Sequence, residues 1–194
     1  MLASGSATRA MLLRNAGLRF SIMSGTIEEG LVRRTAHARG EDAGEVARAL
    51  AESKATMAST AIPEALVIGA DQILDCEGTW FEKPRSRGVA AEQLRALRGR
   101  THRLATAVAC AREGKVLWAH LSDARVGFRE FSEELLQGVL DADSAAIGGS
   151  VGGYRLEGPA VLLCHAIEGD HFTILGLPLL PLLCFLRGFG VLVD

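Results

Sequence analysis

A chain of 194 residues is long enough for one sizeable core and at most two small domains. Its 48% hydrophobic and 23% charged content is ordinary for a folded soluble protein. A net charge of −2, with basic residues scattered and mostly Arg, argues against a dedicated nucleic-acid surface.

Leu2-Ala3-Ser4-Gly5-Ser6-Ala7-Thr8-Arg9 opens the chain and precedes an apolar-periodic run, Met11, Leu12, Leu13, Ala16. That order predicts a strand end, a tight loop and a helix N-terminus with Ser6 as cap. Such a junction presents backbone N–H groups and the positive end of a helix dipole, which suits an anion. It matches neither standard Gly-rich phosphate-loop pattern. The helix closes at Asn15-Ala16-Gly17, and Phe20-Ser21-Ile22 alternates as a strand would. A loop with paired acids, Glu28 and Glu29, follows at 26–30.

Asp42 caps a predicted helix from Ala43 to about Ser59, with Val46, Ala47, Leu50, Ala51 and Met57 on its apolar face and Lys54 close to it. Residues 65–70, Ala-Leu-Val-Ile-Gly-Ala, read as a buried strand that Asp71 ends. A hairpin turn is expected at 75–78 and a helix from Ser86 to Arg98, stopped by Gly99. His102–Ala111 and Val116–Phe128 alternate around Glu113-Gly114, which predicts a long β-hairpin. Ser132 caps a further helix to about Leu140, and the glycines of 148–153 predict a flexible loop. Ala160–Ile167 reads as a last buried strand, and a buried helix follows Gly176-Leu177-Pro178. The run 174–186 is too short to span a bilayer, which takes ~20 residues. The fold class is α/β: one domain over 1–194, a mixed twisted sheet flanked by helices, with a long hairpin.

Cys76, Cys110, Cys164 and Cys184 lack metal-ligand spacing and are expected as buried, reduced thiols. No signal peptide precedes Leu2, so the cytoplasm is the expected compartment. His102, His165 and His171 also lack ligand spacing and are expected to be structural.

The chemistry-bearing residues are Asp71 after an apolar strand, the isolated lysines Lys54 and Lys83, the Ser/Arg loop and the acid pair. Singly, each has a plain reading as a turn, cap or solvated group. Together, Lys and Arg suit phosphate oxygens, and carboxylates suit a hard divalent ion such as Mg²⁺. That combination fits nucleotide phosphate chemistry, in which cations neutralise developing charge and a carboxylate orients or deprotonates water.

These segments resemble the Maf family of nucleoside triphosphate pyrophosphatases. The segments are Leu-Ala-Ser-Gly-Ser-Ala-Thr-Arg (2–9), Ala-Glu-Ser-Lys-Ala (51–55), Ile-Gly-Ala-Asp-Gln (68–72), Glu-Lys-Pro (82–84), Leu-Arg-Gly-Arg-Thr-His (97–102), Gly-Gly-Tyr-Arg-Leu-Glu-Gly (152–158) and Glu-Gly-Asp-His-Phe-Thr-Ile-Leu-Gly-Leu-Pro (168–178). Their order follows the family over essentially the whole chain. The resemblance implies a Maf/ITPase-like fold and hydrolysis of a nucleoside triphosphate to monophosphate and pyrophosphate with Mg²⁺ or Mn²⁺. It implies Asp71 as proton acceptor, phosphate contacts at Ser4, Ser6, Arg9, Lys54 and Lys83, and Glu29 with Asp71 at the metal. A homodimer is the family expectation.

Three positions vary with substrate in that family; here they hold Thr8, Gln72 and Glu157. Gln72 and Glu157 resemble the 7-methyl-GTP branch, while Thr8 matches neither that branch nor the dTTP/UTP branch. Ala7-Thr8 and His171 depart from common family residues, Glu28 replaces the usual Asp, and the first strand is short. Two other classes compete: a nucleotide-binding regulator of septum formation with little turnover, and a nucleic-acid-binding module. The retained Asp71, Lys54 and Lys83 weigh against the first, and the near-neutral charge against the second.

Overall fold

The computed structural model describes residues 1–23 and 29–192. In chain order the elements are β1 (Leu2–Ala3), α1 (Ala7–Asn15), α2 (Glu29–Ala38), α3 (Ala43–Ala61), β2 (Val67–Cys76), β3 (Thr79–Phe81), α4 (Arg87–Leu97), β4 (Thr101–Arg112), β5 (Lys115–Phe128), α5 (Glu133–Ala142), β6 (Cys164–Glu168), α6 (His171–Ile174) and α7 (Leu179–Gly188). The strands form a six-stranded mixed sheet in the order β1-β2-β4-β5-β6, with β3 paired to β2. β1 runs parallel to β2, pairing Leu2 with Ile68 and Ala3 with Gly69, whereas β3 and β6 are antiparallel to β2 and β5. The fold is thus the mixed α/β sheet with helices that the sequence predicts.

By internal packing the chain forms two compact units. The first comprises Met1–Gln72, Ala105–Ser122 and Asp170–Asp194; the second comprises Ile73–Leu104 and Asp123–Gly169. In the first, Leu2, Leu12, Leu13, Ile68, Val108, Leu177, Leu182 and Leu186 make one apolar cluster. α3 lies against β1 with Val46, Ala47, Leu50 and Ala51 buried, as its spacing predicts. Met57, assigned to the same face, is instead 54% exposed. In the second unit the rings of Phe128 and Tyr154 meet edge-on at 5.1 Å, and those of His102 and Phe128 at 5.0 Å.

The caps follow the sequence. Ser6, Asp42, Ser86 and Ser132 each accept a backbone N–H of the helix they start. Both central residues of the β4–β5 turn, Glu113 and Gly114, have positive φ, the geometry that matches the twist of a tight hairpin.

Several expectations are corrected. Asp71 does not end its strand: β2 continues to Cys76, because Ile73 and Leu74 are buried and ion pairs satisfy the Asp71 charge. Glu29 and Gly30 are not loop but the first turn of α2, where an acid is favoured by the helix dipole. Glu28 lies outside the described residues. Phe20–Ile22 forms only a single bridge, Leu2 to Ile22, since the two-residue β1 offers no further pairing length. The strand expected over 160–167 splits. Pro159 opens a 3₁₀ run to Leu163, and only Cys164–Glu168 is extended, as a mostly exposed strand. Val151–Gly153, expected to be flexible loop, is a buried 3₁₀ turn packed on α4. All four cysteines are free, but Cys184 is exposed and Cys164 only half-buried.

Candidate active site

Asp71 sits in the middle of β2 and is 1% exposed. A carboxylate so placed needs partners, because burying an isolated charge is costly. Two cations supply them. Lys54 Nζ lies 2.7 Å from Asp71 Oδ1, and Arg33 Nη2 lies 2.8 and 2.9 Å from its two oxygens. The same cations hold Glu29, Lys54 at 2.8 Å and Arg33 at 3.3 Å. Two acids and two bases thus form a closed network. It is assembled from the first turns of α2, the fourth turn of α3 and the centre of β2.

Local sequence explains the arrangement. Glu29 and Arg33 are four residues apart, so they share one face of α2. Lys54 is brought to the strand by small residues: a Cβ on Gly69 would lie 2.7 Å from the Ala55 nitrogen and 3.0 Å from its Cβ. α3 therefore packs nearly backbone to backbone on β2, and Lys54 needs only its own length to reach Asp71.

The opening loop joins the same region. Ser4 Oγ accepts from the Ser6 N–H at 3.3 Å and from Arg9 Nη1 at 3.1 Å. Ser6 Oγ accepts the Arg9 N–H at 3.3 Å, capping α1. Arg9 is itself buried and donates to the carbonyls of Ala70 at 2.8 Å and Gly176 at 2.7 Å. Burial lowers the pKa of its guanidinium from the ordinary value, and the charges of Asp71 and Glu29 act in the opposite direction. Arg9 thereby ties the loop to the strand residue just before Asp71.

Gln72, next in sequence, engages other partners. Its amide nitrogen donates to Thr106 Oγ1 at 2.9 Å, to the Thr173 carbonyl at 3.0 Å and to the Ile174 carbonyl at 3.2 Å. Thr106 in turn donates to the Thr173 carbonyl at 3.1 Å, so its oxygen is left to accept. Acceptors surround the amide nitrogen, which fixes the orientation of the side chain. Thr8 is half-buried in α1.

The first unit contains Ser4, Ser6, Thr8, Arg9, Glu29, Lys54, Asp71 and Gln72 of the candidate residues. Lys83 and Glu157 belong to the second unit, where both are exposed, Lys83 between β3 and α4 and Glu157 in a turn after Tyr154. Sequence reasoning missed Arg33, Thr106 and Thr173. The Glu29-to-Arg33 spacing was a usable signal for the first. Thr106 and the Thr173 carbonyl meet Gln72 across long stretches of chain, which local sequence does not mark.

Among the described residues, no group of three or more His, Cys, Asp or Glu is placed to hold a metal ion. The donor set still fits a hard divalent cation. Glu29 and Asp71 already touch one shared ammonium, Lys54, so both are within reach of a common cation. Such ions often take one or two carboxylates and complete their shell with water and phosphate oxygens.

A helix N-terminus beside buried cations is an arrangement that suits phosphate groups. The chain matches the Maf-like protein family over residues 1–189 and belongs to it. It is 48% identical over 194 residues to a nucleoside triphosphate pyrophosphatase of Paramagnetospirillum magneticum, with 100% of both chains covered. It is 49% identical over 187 residues to a nucleoside triphosphate pyrophosphatase of Nitrobacter winogradskyi, covering 96% of this chain and 92% of that one. A 7-methyl-GTP pyrophosphatase of Rhizobium etli is 43% identical over 192 residues, 99% of this chain and 96% of its own. Pyrophosphatases of this kind are hydrolases. Among the described residues, no helix is long and apolar enough to cross a membrane.

Proposed function

We propose that this chain hydrolyses a nucleoside triphosphate to the monophosphate and pyrophosphate. The observation that carries the reading is the buried Asp71 carboxylate held between Lys54 and Arg33, beside the Arg9-tied serine loop. In this reading Asp71 takes a proton from water as the water oxygen bonds to the α-phosphorus. The α–β phosphoanhydride bond breaks and pyrophosphate leaves. In this reading Lys54, Lys83 and Arg9 are the cations assigned to the phosphates, and Ser4 and Ser6 offer hydroxyls. Asp71 and Glu29 would hold a Mg²⁺ or Mn²⁺ ion, which supplies neutralisation of phosphate charge when bound. A nucleotide substrate is in keeping with a cytoplasmic protein.

The preferred base in this reading is 7-methylguanine. Gln72 and Glu157 support it, as does the relative named a 7-methyl-GTP pyrophosphatase at 43% identity. A carboxylate at Glu157 accepts from the guanine N1–H and 2-amino edge, and its charge suits the cationic methylated ring. The relatives at 45–49% identity are named only for nucleoside triphosphates, which keeps a dTTP/UTP preference as the second reading. The test is pyrophosphate release from 7-methyl-GTP, GTP, UTP, CTP and dTTP with Mg²⁺ or Mn²⁺, repeated on Glu157→Gln. The expected result is the highest kcat/KM for 7-methyl-GTP, reduced in the variant. A best rate with dTTP or UTP overturns the base assignment alone. No release from any triphosphate overturns the activity and favours a binding regulator.

A further inference from the structure

We infer that Arg33 is an exchangeable counter-ion which competes with a divalent cation for Asp71 and so sets the metal affinity of the site. This rests on the proposed pyrophosphatase reading and deepens it.

The geometry of Arg33 is unusual for a permanent structural pair. A guanidinium that locks a carboxylate does so with two nitrogens in a fork. Here one nitrogen, Nη2, carries both contacts to Asp71 and a third to Glu29. Among the described residues, the buried Arg33 Nε has no hydrogen-bond partner. An unsatisfied buried donor costs free energy, so this pose is not the best that the side chain could adopt. The helix that carries Arg33 is also lightly anchored. Of α2, only Ala36 is buried, while Leu31 and Val32 are 54% and 41% exposed. Its other tie to the site is Glu29 on Lys54.

The charges point the same way. Two carboxylates and two cations balance within the network, and the buried Arg9 guanidinium lies close enough to feel the charges of Asp71, Glu29 and Arg33. A divalent ion on Asp71 would meet the Arg33 charge against both Asp71 oxygens, and like charges at that range repel strongly. Arg33 and the metal are alternative partners of Asp71. Lys54, bonded to Oδ1 alone, leaves Oδ2 accessible and need not move. Arg33 acts through Asp71 and is a positioning residue.

The experiment measures Mn²⁺ binding to the whole chain without nucleotide, from the electron-spin signal of the free ion. Wild type is compared with Arg33→Gln, Arg33→Met and Arg33→Lys, each checked by circular dichroism. Arg33→Gln and Arg33→Met are expected to bind Mn²⁺ roughly tenfold or more tighter, because a repelling charge is gone. Arg33→Lys is expected to return towards wild type. In turnover, the metal concentration for half-maximal rate should fall in the two neutral variants. Unchanged or weaker Mn²⁺ binding in folded neutral variants overturns the inference. Loss of fold in both also overturns it, since an exchangeable ion cannot be essential to the fold. If wild type releases pyrophosphate with metal but the affinities do not separate, this inference falls and the function stands. If no triphosphate is cleaved, the function falls, and the Mn²⁺ comparison still decides the competition.

Discussion

Gly69 of β2 faces Ala51 of α3 so closely that a Cβ on Gly69 would collide with the Ala51 carbonyl oxygen. This contact sets how near Lys54, one turn further along α3, comes to Asp71, two residues along β2. Gly69→Ala must therefore push the helix outward. The expected outcome is a loss of about 1–3 kcal/mol of stability from overpacking. A fall in kcat/KM should accompany it as Lys54 draws away. Thermal melts and steady-state kinetics check both, and an unperturbed melting temperature would show that the packing is looser than this contact implies.

Asp71→Asn keeps the shape of the proposed base and removes its charge. Turnover is expected to fall by ~10² or more, the scale of a lost general base. Nucleotide binding, followed by calorimetry, should persist. Near wild-type turnover would remove Asp71 from the chemistry.

Lys54→Ala and Lys83→Ala test the phosphate roles. On the proposed reading each is expected to weaken triphosphate binding more than monophosphate binding, because a cation assigned to the phosphates is lost. Lys54 is 9% exposed and paired with two acids, so its variant should also melt lower, whereas the exposed Lys83 should not share that penalty. Equal losses for the two ligands would count against both assignments.

His102 gives a pH dependence unrelated to catalysis. It is 1% exposed, its Nε2 lies 2.6 Å from Tyr154 Oη, and burial lowers its pKa from 6.5 to about 4. Between those values the unfolded chain binds the proton and the folded chain does not. The stabilisation is therefore complete above pH 6.5 and is lost as pH falls towards 4. Its full size is up to about 3 kcal/mol, from the shift alone. Denaturant midpoints for wild type and His102→Gln, measured from pH 7 to 4, should show a shallower acid slope in the variant. Parallel curves would show that other groups carry the acid dependence.

The residues brought together in the first unit were legible because each stands at a position that local sequence marks: a capped helix start, an apolar strand, an amphipathic helix. Arg33 was not. Residues 33–41 carry no large apolar side chain, and only Ala36 of α2 is buried, so the four-residue Glu29-to-Arg33 spacing is a faint local mark of this helix. What holds Glu29 and Arg33 there is charge on Lys54 and Asp71, 25 and 38 residues away in sequence. Asp71 itself lies mid-strand rather than at the strand end that the sequence predicts. A buried acid reads as a terminator until its neutralising partners are known. The 3₁₀ run at 159–163 deceived for the opposite reason, since apolar content alone does not separate a strand from a tight helix.

Asp71 and Gln72 are adjacent in β2, yet the first meets Lys54 and the second meets Thr106 and the turn at Thr173. Side chains alternate along a strand, so neighbours in sequence serve opposite sides. Point changes at the two positions can consequently accumulate one at a time, and a lineage can retune what Gln72 meets while leaving the acid untouched. A single inserted or deleted residue before Asp71 within β2 is different: it would exchange the two sides at once. The strand is permissive to substitution and intolerant of any change in length.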